Sequence, residues 1–97
     1  MKSYRELEVW QVACDLVTEV YKFTAKLPRA EQFGLTSQMR RAAISIPSNI
    51  AEGFSRHSPA DNHKFVRIAF ASGAALETQF YLCLKLGFAT LDELQAT

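Results

Sequence analysis

Three groups of residues have the chemical means to act on a ligand. His57 and His63, the only two histidines, flank one loop together with Arg56, Lys64 and Arg67. An imidazole can serve as a general base, but a nucleophilic site also needs a nucleophile within reach and a group that orients the base. Neither accompanies these histidines in sequence. The cluster offers positive charge instead: with Arg40 as a further cation, Arg56, His57, His63, Lys64 and Arg67 form a candidate patch for phosphate or for a protein partner. A solvated loop and helix start account for the same residues without any ligand.

The second group is a polar stripe. Gln38, Arg41, Ser45, Ser48 and Glu52 are spaced three, four, three and four residues apart, which places them on one side of a helix, with Arg40 and Asn49 beside them. They surround Pro47, whose missing N–H frees the carbonyl of Ala43, so short hydrogen-bonding side chains here either satisfy that carbonyl or form a surface for a ligand or partner. Glu77 is the third candidate. Phe70, Ala74, Tyr81 and Leu84 lie above and below it on one helical face. A carboxylate buried there requires a partner, and Arg41, then Arg40, are the cations expected to supply it. Arg41, Asn49, Glu52 and Glu77 are accordingly read as a structural polar network. Cys14 and Cys83 belong to no Cys/His cluster of metal-binding spacing and read as reduced, buried small hydrophobes. No catalytic residue, metal ligand or cofactor site is assigned, and the chain is expected not to be an enzyme.

The elements that carry these groups are helical. From Leu7 to Leu27, apolar or small residues recur at Val9, Ala13, Leu16, Val20, Phe23 and Leu27, with a second seam at Trp10, Cys14, Val17 and Tyr21. Two adjacent seams make a face wider than one partner helix can cover. Pro28 ends this helix, and residues 28–34 read as a connector with one helical turn. A second helix is predicted over 35–55, with Met39, Ala43, Ile46, Ile50 and Phe54 in phase across Pro47. That continuity favours one helix kinked at the proline over two short ones. Ser58 and Pro59 combine a capping hydroxyl with proline at the first helical position, so a third helix is predicted over 59–86, closed by Gly87 in a left-handed cap. Small residues at Ala69, Ser72, Gly73, Ala74 and Ala75 would let another helix approach it closely. Thr90 and Glu93 form a capping box for a fourth helix over 91–97. About two turns cannot cover a bundle about 30 Å long, which reads either as an incomplete sequence or as a seam covered by another subunit.

Composition bounds the partners. Ninety-seven residues are read as one domain, 1–97, with helix 1 over 5–27. Eleven Lys and Arg against ten Asp and Glu give a net charge of +1, which excludes a grossly basic nucleic-acid protein, so any such contact needs a local patch. No apolar run approaches the roughly 18 residues of a membrane span and no leader pattern opens the chain, so the cytoplasm is the expected compartment.

Residues 33–56, FGLTSQMRRAAISIPSNIAEGFSR, resemble the signature of the four-helix-bundle proteins encoded within intervening sequences of 23S ribosomal RNA genes. LEVWQVACDLVTEVY before it and SGAALETQFYLCLKLGF after it are similar to the same family in the same order. The resemblance implies an all-α, left-handed antiparallel four-helix bundle that assembles with itself, as a pentamer in family relatives. Similar proteins serve as accessory factors of diversity-generating retroelements, binding a reverse transcriptase and nucleic acid. It therefore implies a non-enzymatic nucleic-acid or nucleoprotein accessory factor, with a protein-interaction module that binds no nucleic acid as the alternative.

Overall fold

In the computed structural model, which describes residues 3–95, four α-helices follow one another with no strand among the described residues. They are α1 (Glu8–Thr24), α2 (Leu35–Ser55), α3 (Pro59–Lys85) and α4 (Leu91–Gln95). Single 3-10 turns at Tyr4–Glu6 and Arg29–Glu31 precede α1 and α2.

Each boundary has a local cause. The Ser3 hydroxyl accepts from the Arg5 N–H and starts the first turn, after which Leu7 is extended, so α1 begins at Glu8 and not at residue 5. At its other end α1 stops at Thr24, three residues short of Leu27, and Leu27 reaches the core from a turn. The Glu31 carboxylate accepts from the Leu35 N–H and so takes over the capping role that Gly34 has no side chain to fill. α2 runs through Pro47 as one helix. Ser58 caps α3 by accepting from the Asp61 N–H. At the far end Gly87, at φ 78°, donates to the Leu84 carbonyl, and Phe88 donates to that of Cys83. This pair of bonds is a Schellman closure, and it needs a residue that tolerates positive φ. Thr90 and Glu93 exchange hydrogen bonds in both directions across the start of α4, as a capping box requires. The part of the predicted fourth helix beyond Gln95 lies outside the described residues.

α2 packs along both α1 and α3. Cross-helix contacts descend α2 as they climb α3, from Asn62 on Gly53 through Ser72 on Ser45 to Cys83 on Met39. The core cluster joins Val20, Phe23 and Leu27 to Met39, Ala43, Leu76, Cys83 and Ala89, with Leu94 of α4 packed against it. Phe23 and Phe80 meet with ring centroids 4.9 Å apart. This core gathers the C-terminal half of α1, the N-terminal half of α2 and the C-terminal half of α3. The opposite halves of the same three helices bear the candidate site.

Candidate functional site

Where the core cluster ends, the apolar faces continue without a cover. Leu7 and Val9 from the start of α1, Ile46, Ile50 and Phe54 from α2, and Val66, Ala69 and Phe70 from α3 line a groove of about 390 Å³. The apolar stripe of α3 passes its contact with α2 and reaches this groove, leaving Phe70 82% exposed and Val66 49%, and Val9 of α1 is 58% exposed beside them. A second hollow of about 330 Å³ extends the groove along Gly73, Ala74 and Glu77. No atom outside the helix lies within 4 Å of where a Cβ on Gly73 would sit. Contiguous apolar surface of this kind marks a place where another element docks.

Glu77 lies at the far end of that groove and is exposed, as is Arg41, and no ion pair joins them. The expected buried pair is thus corrected. Phe70 and Tyr81, which flank Glu77 on the helix, are themselves exposed, and Phe70, Ala74 and Glu77 line the open hollow, so the carboxylate remains hydrated. The polar contacts between α2 and α3 run through other residues. The Ser72 hydroxyl donates to the Ser45 hydroxyl at 2.8 Å and the Asn62 amide to the Gly53 carbonyl at 2.8 Å, while within α2 Asn49 donates to the carbonyl and the hydroxyl of Ser45 at 2.7 and 2.9 Å. The side-chain amide of Asn49 thus serves the carbonyl of Ser45, not that of Ala43. Glu52 pairs with Arg56 at 2.7 Å one turn along α2.

The cations expected to form one patch divide by environment. Arg40 is half-buried and committed to the fold: its Nε donates to the Thr24 hydroxyl at 2.8 Å, and its guanidinium lies 4.3 Å from the centre of the Tyr21 ring. Thr24 passes the interaction on by donating to the Val20 carbonyl at 2.8 Å. This clamp fixes the last turn of α1 on α2, where a cation also offsets the negative end of the helix dipole. Arg56 is exposed but neutralised by Glu52 and rests 5.1 Å from the Phe65 ring centre. His57 is exposed in the loop after α2. His63, Lys64 and Arg67 stand together on the exposed face of α3, lining a shallow hollow of about 420 Å³ with Ala60, Ile68 and Ala71.

Of the two thiols, Cys83 is fully buried against Met39, whereas Cys14 is partly exposed and departs from the expected buried hydrophobe. Burial, and secondarily the charge of Glu31, push the Cys83 thiol above its ordinary range. Because the thiolate is the reactive form, a thiol-specific reagent is expected to modify Cys14 first and to reach Cys83 only after unfolding. Peptide mapping after brief labelling checks this, and equal labelling of both cysteines in the folded protein would contradict it.

No group of three or more His, Cys, Asp or Glu side chains among the described residues is placed to hold a metal ion. None of the described helices is long and apolar enough to cross a membrane. The family model of the 23S rRNA-intervening sequence protein matches residues 5–97, from the first 3-10 turn to the last residue. The chain belongs to this family. No curated protein matches it. Membership names no reaction or ligand for this chain.

Proposed function

We propose that this protein is a non-enzymatic, self-assembling helical bundle that works in the cytoplasm as a nucleic-acid or nucleoprotein accessory factor. One observation carries the reading: the apolar groove along α1, α2 and α3 ends in open solvent while the same faces form a closed core at the other end. A fourth helix laid between α1 and α3 would complete a left-handed bundle. The descending contact order between α2 and α3 supports an antiparallel arrangement, and the proline in α2 supports a kink there. A homo-oligomer, a pentamer as in family relatives, would cover what one chain leaves exposed.

The second reading is a protein-interaction module that binds no nucleic acid. It is favoured by the engagement of Arg40 and Arg56 within the chain, which leaves few cations for phosphate. The two readings share the assembly step. Phe70→Asp is expected to abolish self-association, as read by light scattering at tens of micromolar protein, while helicity persists because Phe70 is 82% exposed within one chain. A wild-type protein that is strictly monomeric under those conditions would remove assembly from the proposal.

A further inference from the structure

We infer that the exposed face of α3 carrying His63, Lys64 and Arg67 is a contact for the sugar–phosphate backbone of a nucleic acid. The inference rests on the accessory-factor reading above and names the surface by which that reading would operate.

Three observations single this face out. First, charge is segregated: between Asp61 and Glu77 α3 bears no acidic residue, while the exposed side of α1 carries Glu8, Asp15 and Glu19 against one cation, Lys22, which pairs with Glu19. A net charge of +1 therefore conceals a local excess of positive charge on α3 between Asp61 and Glu77. Second, these cations are available. Arg40 is held by Thr24 and Tyr21 and Arg56 by Glu52, whereas Lys64 and Arg67 form no ion pair: Asp61, one turn before Lys64, is not paired with it, and the Lys64 ammonium lies only loosely over the Phe65 ring, 5.6 Å from its centre. Third, the shape suits a phosphate strand. Ala60 and Ala71 keep both ends of the hollow low, and His63 to Arg67 spans about 6 Å along the helix axis, room for neighbouring phosphates.

The chemistry of the three side chains fixes the ligand class. Arg67 offers a planar fork to phosphate oxygens and Lys64 a point charge, and His63 adds a third donor. None of the short amides that read base edges lies in the hollow. Binding should accordingly ignore base sequence and depend on salt. Two to three phosphates neutralised per chain give a slope of about −1.8 to −2.7 in log K against log salt on duplex DNA, a loss of about 10- to 40-fold between about 50 and 200 mM.

Fluorescence anisotropy of the full chain tests this, with a short labelled strand, its duplex, and a duplex of unrelated sequence as probes. Wild type is expected to bind the two duplexes alike with that salt slope. Lys64→Glu with Arg67→Glu should weaken binding at low salt by at least about tenfold and flatten the slope by about 2. Arg41→Glu, also exposed but on α2, should leave binding unchanged. All three positions are exposed, and circular dichroism verifies that the variants stay folded. If the double variant binds as wild type does, the α3 face is overturned while the nucleic-acid reading survives. If wild type binds no probe, that reading falls with it. Tighter binding of labelled polyglutamate than of any nucleic acid would overturn the inference by assigning the face to an acidic polypeptide.

Discussion

Replacing Met39 by alanine is expected to lower the free energy of unfolding by about 2–5 kcal/mol, the range for emptying a fully buried aliphatic site. Met39 has no exposed surface and stands where all the packed helices meet, with Val20 and Phe23 of α1 and Leu76 and Cys83 of α3 in the same cluster. The Cys83 thiol donates to its sulfur at 3.7 Å, so truncation opens a void and removes the sulfur contact together. A chain of this length has a margin of about 5–15 kcal/mol, so one substitution here consumes a large share of it. Met39→Leu nearly conserves volume and should cost less than about 1.5 kcal/mol. Phe33→Ala removes a larger side chain that is 89% exposed and should fall within about 0.5 kcal/mol of wild type. Urea titration of the three variants at unchanged m value supplies the comparison. A Met39→Ala loss no greater than that of Phe33→Ala would mean that the stabilising core lies elsewhere.

The same contrast shows what the sequence could reveal. The bounds predicted for α2, 35–55, coincide with the helix found, and those for α3, 59–86, differ by one residue, because Gly34, the Ser58–Pro59 pair and Gly87 act locally at their own positions. The bounds of α1 were too wide by three residues at each end, since apolar period registers that Leu27 is buried but not that it is buried from a turn. Period also shows how broad a face is without showing what covers it. For Glu77 this mattered: an apolar stripe around a carboxylate looks the same whether it meets a helix or an open groove. The Arg40 clamp was hidden for a different reason. Its partners Thr24 and Tyr21 lie 16 and 19 residues away, and nothing in their spacing announces a contact made only when α1 folds back on α2. The basic face of α3 was legible as a group of cations. Which of them are engaged elsewhere became visible only in three dimensions.

The two helical glycines, Gly53 in the last turn of α2 and Gly73 in the middle of α3, should respond to substitution with opposite signs. A Cβ on Gly53 would sit 3.2 Å from the Cβ of Phe65 and 3.3 Å from the carbonyl oxygen of Asn62, atoms fixed to the α3 backbone. Asn62 in turn donates to the Gly53 carbonyl at 2.8 Å, so pushing the helices apart also strains that bond. Alanine gains about 1 kcal/mol in helix propensity, yet overpacking a rigid contact costs about 1–3 kcal/mol, and Gly53→Ala is expected to come out destabilised by about 1 kcal/mol. Gly53→Leu, with three further carbons against the same backbone, should lose about 3 kcal/mol. Gly73 meets nothing within 4 Å, so Gly73→Ala should retain the propensity gain and raise stability by about 1 kcal/mol. The sign at Gly73 then depends on protein concentration if a helix docks in the groove. Dilute chains keep the gain, but in an assembly that brings a second backbone against this position, Gly73→Leu should dissociate the oligomer without unfolding its parts. Denaturation at low concentration together with light scattering at high concentration separates the two effects. A Gly73→Leu protein that assembles as tightly as wild type would show that whatever covers the groove does not approach the helix at this glycine.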